Sequence, residues 1–61
     1  MVAGELVWVL ISSTWYRGRF ICYKIHASQP EKRYALVNME PQAILAEERF
    51  VLPLDDWKTV S

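Results

Sequence analysis

Trp15-Tyr-Arg-Gly-Arg-Phe-Ile-Cys-Tyr-Lys-Ile-His26 is the stretch that decides the fold. Its β-branched and aromatic residues favour a strand, and its length predicts strong bending, for which Gly18 gives the freedom. Alternation places Tyr16, Gly18, Phe20 and Cys22 on one face, and Trp15, Arg17, Arg19, Ile21, Tyr23 and Ile25 on the other. Both faces carry large apolar or aromatic residues, the second with Arg17 and Arg19 among them, whereas a strand covering a single core needs only one such face. The strand ahead of it, Leu6-Val-Trp-Val-Leu-Ile11, has the same property, with Val7, Val9 and Ile11 opposing Leu6, Trp8 and Leu10. Two readings follow. Either an apolar outer face with Trp8, Leu10, Ile21, Tyr23 and Ile25 is left for an interaction, or the chain bends so far that the 27–32 and 40–50 segments cover both faces.

Working outward, Ser12-Ser13-Thr14 is a polar turn between the first two strands, and Ala27-Ser-Gln-Pro-Glu-Lys32 is an exposed loop. Pro30 is expected outside any central strand, because it lacks the N–H a ladder needs. Arg33-Tyr-Ala-Leu-Val-Asn-Met39 is a third strand. The next segment reads in two ways: a helix opened by Pro41 and carried by Ala43 to Arg49, or a Glu40-Pro41-Gln42 hairpin turn with a fourth strand from Ala43 to Leu52. The strand reading is the one adopted. Pro53 to Trp57 is expected to form a 3₁₀-like turn, and Lys58-Thr-Val60 a short last strand. The expectation is one all-β domain spanning 1–61, a small five-stranded barrel with a 3₁₀ turn before its final strand.

Composition narrows the chemistry. The 61 residues carry seven basic and seven acidic side chains, for a formal net charge of zero, so no global field draws the chain to phosphate or to a membrane. The apolar fraction is 52%, yet no run approaches the roughly 18 residues of a membrane span. A soluble chain is therefore expected, with no membrane partner. The single cysteine, Cys22, excludes an internal disulfide, and with the single histidine, His26, it falls short of a structural zinc site. No cofactor is expected. Met1-Val-Ala-Gly-Glu5 has neither the basic start nor the cleavage site of a secretory signal, so the expected compartment is the cytoplasm, or the nucleus in a eukaryotic cell.

Gly4-Glu-Leu-Val-Trp-Val9, Trp15-Tyr-Arg-Gly-Arg-Phe20, Tyr34-Ala-Leu-Val37 and Phe50-Val-Leu-Pro-Leu-Asp-Asp-Trp57 occur in an order and spacing that resembles an SH3-like barrel of the Tudor kind. The resemblance covers most of the chain and implies a five-stranded barrel that binds a peptide or a nucleic acid. In Tudor domains that read methylated side chains, an aromatic cage holds the cation against ring faces. The resemblance puts Trp15 at one cage wall, with Tyr34 or Asn38 approaching it. The aromatic-Asp-Tyr-Gly run of that family is replaced here by Val37-Asn-Met-Glu-Pro41. Gly4-Glu-Leu-Val-Trp-Val9 followed by Arg17 and Arg19 also resembles the SH3-like DNA-binding domain of retroviral-type integrases.

Two functional expectations result. The first is a non-catalytic module that binds another protein or its own copies through Trp8, Trp15, Ile21, Tyr23 and Tyr34. The alternative is a nucleic-acid module in which Arg17, Arg19, Lys24, Lys32 and Arg33 track a phosphate backbone while aromatics stack on bases. No catalytic site is expected: Ser12, Ser13, His26, Asp55 and Asp56 are the residue types of a hydrolase, but nothing in their spacing gathers them or supplies an oxyanion hole.

Overall fold

The computed structural model describes residues 1–55. Five antiparallel strands form one sheet: β1 (Leu6–Ile11), β2 (Thr14–His26), β3 (Gln29–Asn38), β4 (Ala43–Glu47) and β5 (Val51–Pro53), in the spatial order β4-β3-β2-β1-β5. A single 3₁₀ turn, Glu48–Phe50, precedes β5. The expected Lys58–Val60 strand, Asp56 and Trp57 lie outside the described residues.

The two edge strands of the sheet, β4 and β5, are joined by only that three-residue turn. In a flat five-stranded sheet the edges would stand about 19 Å apart, while three residues of 3₁₀ helix rise about 6 Å. The sheet must therefore curl until its edges approach, and β2 is where it curls. Thr14–Arg19 pair with β1, and Arg19 to His26 pair with β3, so the two halves of β2 belong to two ladders that meet at Arg19. Among the described residues β4 and β5 are not hydrogen-bonded to each other, so their sheet is curled but not closed, and the expected barrel is corrected to an open, curled sheet.

The curl buries one face. Val7, Val9, Phe20, Ala35, Val37 and Val51 form the core, with Tyr23, Met39, Ile44 and Ala46 packed against it. At the bend, Gly18 is buried, and a Cβ built there would meet Val37 Cγ1 and Met39 Sδ, both at 2.6 Å. Glycine is thus required by close approach of β3 to β2 and not only by backbone freedom.

Two tight turns match their sequences. Ser12 and Ser13 form a two-residue hairpin loop with φ of 50° and 67°, the positive pair of a type I′ turn whose twist suits the flanking strands. Glu40 and Pro41 turn β3 into β4, closed by the Met39 N–H donating to the Gln42 carbonyl at 2.9 Å.

Four expectations are corrected. The β2–β3 loop is only Ala27–Ser28, and Pro30 lies inside β3; the pairing jumps from His26↔Gln29 to Ile25↔Arg33, so Pro30, Glu31 and Lys32 sit in a bulge where no ladder N–H is demanded. The fourth strand stops at Glu47 instead of running to Leu52. The 3₁₀ turn falls at Glu48–Phe50, not at 53–57, where Leu54 and Asp55 form a plain turn and the remainder lies outside the described residues. A second bulge, between Phe20 and Cys22, inverts the alternation of β2. Tyr23 consequently joins the inner face, its ring 4.7 Å from that of Phe20, while Cys22 moves to the outer face opposite Leu36, half-buried.

Candidate functional site: two outer faces and one open edge

Each half of the sheet has an outer face. On the β5-β1-β2 half it is built from the cross-strand pairs Leu10↔Trp15, Trp8↔Arg17, Leu6↔Arg19 and Trp8↔Leu52. Trp8 is half-buried there, its indole N–H donating to the Leu54 carbonyl at 3.2 Å, with the Arg17 guanidinium 6.0 Å from its ring centre. That hydrogen bond fixes the ring and satisfies its only polar atom. Trp15, opposite Leu10, is half-buried on the same face.

The β2-β3-β4 half is different. Its outer pairs are Cys22↔Leu36, Lys24↔Tyr34 and Leu36↔Leu45. A groove of about 240 Å³ is lined by Lys24, Ile25, His26, Tyr34, Leu36 and Leu45. Leu45 is 58% exposed and Ile25 65%, high values for aliphatic side chains that line one groove.

The residues expected to bind a partner are thus split. Trp8 and Trp15 stand on the first outer face, Tyr34 on the second, Ile21 at the bulge with 39% exposure, and Tyr23 on the inner face. Trp15 is near the start of β2, while Tyr34 is opposite Lys24 near its end, roughly 30 Å of strand away. Asn38 uses its side-chain oxygen locally, accepting the Glu40 N–H at 3.0 Å. Trp15, Tyr34 and Asn38 are not gathered into one cage.

The basic residues are also divided. Arg33 is paired with Glu48 and stacked at 3.8 Å on the Tyr23 ring; the hydrogen bond to Glu48 raises its pKa further above an already basic value. Lys32 stands 3.6 Å from Glu47, which also takes Arg49 at 3.2 Å. Among the described residues, Arg17, Arg19 and Lys24 have no carboxylate partner, and Arg19 donates to the Gly4 carbonyl at 2.8 Å. Arg17 and Arg19 face outward on the first half and Lys24 on the second.

Ser12 and Ser13 turn the chain at one end of β2 and His26 ends the other. The backbone N–H of Ser28 donates to His26 Nδ1 at 3.2 Å and its hydroxyl stands 2.7 Å away, a contact within one hairpin turn. Asp55 is exposed in the Leu54–Asp55 turn, and Asp56 lies outside the described residues. Among the described residues no three His, Cys, Asp or Glu side chains are grouped to hold a metal.

Sequence reasoning missed the groove, because Leu36 and Leu45 are thirteenth and twenty-second in line after Tyr23 and carry no motif. The signal that was available is the alternation of β4, where Leu45 must face away from Ile44 and Ala46 once those two pack against the core. Compared with known protein families, with curated proteins and with solved structures, the chain has no match.

Proposed function

We propose that this domain is a non-catalytic protein-binding module whose working surface is the outer face of the β2-β3-β4 half. The observation that carries the reading is the apolar groove between Ile25, Tyr34, Leu36 and Leu45, open to solvent and bordered by one cation, Lys24, with no carboxylate partner among the described residues. A surface with an aliphatic floor, an aromatic wall and one charge at its border has the make-up of an interface core with a polar rim. Trp8 and Trp15 serve mainly to hold β5 and β2 against β1. The nucleic-acid alternative has less support, since Lys32 and Arg33 are matched by Glu47 and Glu48, and the unmatched cations do not form one track.

Selection of extended peptides from a random display library tests this reading. Peptides are expected to be enriched on the wild-type chain and to lose binding when Tyr34→Ala and Ile25→Ser are introduced together. A chain that selects no peptide and forms no self-complex sinks the reading. So does retention of a short nucleic-acid duplex at about 150 mM salt that disappears when Arg17 and Arg19 are changed to alanine.

A further inference from the structure

We infer that the partner of this surface is a second copy of the chain, joined by antiparallel pairing of β4 with β4 about a two-fold axis at Leu45. The inference rests on the protein-binding reading and specifies its occupant. It starts from the edges of the sheet. An unpaired edge is a template for another strand, and proteins blunt edges with prolines, charges, bulges or brevity. β5 has only three residues and ends on Pro53. The free flank of β3 beyond β4 carries Pro30, Glu31, Lys32 and Arg33, and the free flank of β2 beyond Phe20 begins with a bulge. β4 has none of these devices from Ala43 to Ala46: its register against β3 is unbroken, and its only charge is Glu47 at the end.

Backbone geometry says which groups are on offer. The Met39 N–H bonds to the Gln42 carbonyl, so Gln42 is turned toward β3, and by alternation Ile44 and Ala46 are turned the same way. Ala43, Leu45 and Glu47 therefore point their N–H and C=O groups to the open side. Pairing centred on Leu45 sets Leu45 against Leu45 and Ala43 against Glu47, so every outward residue is matched and about six hydrogen bonds form.

Charge selects the same register. It keeps the two Glu47 carboxylates apart, each opposite an alanine, whereas parallel pairing would set them side by side. It also carries the exposed Arg49 of one copy toward the exposed Glu40 of the other. On the outer face the two Leu45 side chains meet at the axis and the two grooves become one. The exposed leucine, the missing edge protection and the position of the groove then share a single cause.

Sedimentation equilibrium of the full chain from low micromolar to on the order of 0.5 mM, a range in which even millimolar affinity populates a complex, is the test. Hydrogen exchange is read at both extremes. The expected species is a dimer of about 14 kDa, twice the chain's 7.2 kDa. Amides of Ala43, Leu45 and Glu47 should gain protection with concentration, while those of Ile44 and Ala46 are protected throughout. Leu45→Lys, which places two ammonium groups face to face, should weaken the dimer at least about tenfold. Ala43→Pro, which removes an outward N–H and no β3 bond, should weaken it independently. A chain monomeric over the whole range overturns the inference, and the peptide selection then decides the protein-binding reading separately. A dimer indifferent to both variants, or one in which the protection pattern does not alternate, overturns it as well.

Discussion

Gly18→Ala probes the bend on which the fold depends. In a strand, exchanging glycine for alanine ordinarily stabilises a protein by about 0.4–1 kcal/mol, because the unfolded chain loses freedom. Here the new methyl would lie 2.6 Å from both Met39 Sδ and Val37 Cγ1, and 3.1 Å from the Asn38 carbonyl oxygen. The three neighbours differ in compliance. Met39 is partly buried and can swing its unbranched chain away. Val37 is fully buried, and its branched side chain is stiff at χ1, so relief there requires a shift of the β3 backbone that also carries the Asn38 oxygen. Overpacking of this kind costs about 1–3 kcal/mol. Subtracting the middle of the unfolded-state range from the middle of the overpacking range leaves a net loss of about 1.3 kcal/mol, which in a domain of this size lowers the thermal midpoint by roughly 5–10 °C. The assay is urea denaturation followed by circular dichroism, with Val37→Ala and the double variant alongside. Because Val37→Ala opens the space the new methyl needs, the double variant should be less destabilised than the sum of the two singles. Additive losses, or a Gly18→Ala chain as stable as the wild type, would refute the close-approach argument.

The remaining predictions concern the turn, the core and the fixed tryptophan. Replacing Ser12-Ser13 by Asn-Gly, the residues best suited to two positive φ values, should raise the denaturation midpoint by an amount corresponding to about 0.5–1 kcal/mol, with no change in slope. Phe20→Ala removes the largest core side chain, only 3% exposed, at a cost of about 3–5 kcal/mol against a total stability of about 3–9 kcal/mol; the near-ultraviolet spectrum should lose its fixed aromatic signal and melting its cooperativity. Trp8→Phe leaves the Leu54 carbonyl without its donor and should lower stability by about 0.5–1.5 kcal/mol while leaving the solution mass unchanged. A change in mass would instead place the first outer face in the subunit contact.

Local chemistry was legible in the sequence, and register was not. β1, the Ser12-Ser13 turn, the Glu40-Pro41 turn and the choice of strand over helix for Ala43 onward rest on residues whose preference agrees with their surroundings. The β-branched run of β1 and the small polar pair after it admit few alternatives. The inward placement of Tyr23 could not be read, because strict alternation assumes an unbroken ladder and one extra residue at Ile21 exchanges the faces of Cys22, Tyr23 and Lys24, before a second shift at Ile25/His26. Bulges are set by how two strands meet at a bend, a long-range property. Pro30 misled for the same reason: its missing N–H forbids a ladder position, but a bulge frees it from that duty. The 3₁₀ turn was expected at the prolyl segment after Val51, where composition favours it, yet the need to cross from one sheet edge to the other places it at Glu48–Phe50, which composition does not mark. The groove was hidden because it joins Ile25, Leu36 and Leu45 from three strands.

The double-faced character of β2 therefore has two causes, one in each half. In its first half the outer side chains Trp15, Arg17 and Arg19 are matched by Leu10, Trp8 and Leu6 of β1, so a second apolar layer is completed within the chain and one indole is anchored on the turn after β5. In its second half the outer side chains Cys22 and Lys24 look onto Leu36 and Tyr34, and beyond them lies Leu45 on an edge that no other strand of the described residues covers. Among the described residues, six buried hydrophobic residues make up the core. A sheet with so thin a core gains from covering the groove and the exposed Leu45, among the most exposed apolar side chains of the described residues, and the cheapest cover in entropy is a rigid strand already shaped to the edge. β4 of a second copy is such a strand. The same alternation that packs Ile44 and Ala46 against the core leaves Leu45 in water, and the proposed association, which would cover it, predicts that the stability of the folded chain rises with its concentration.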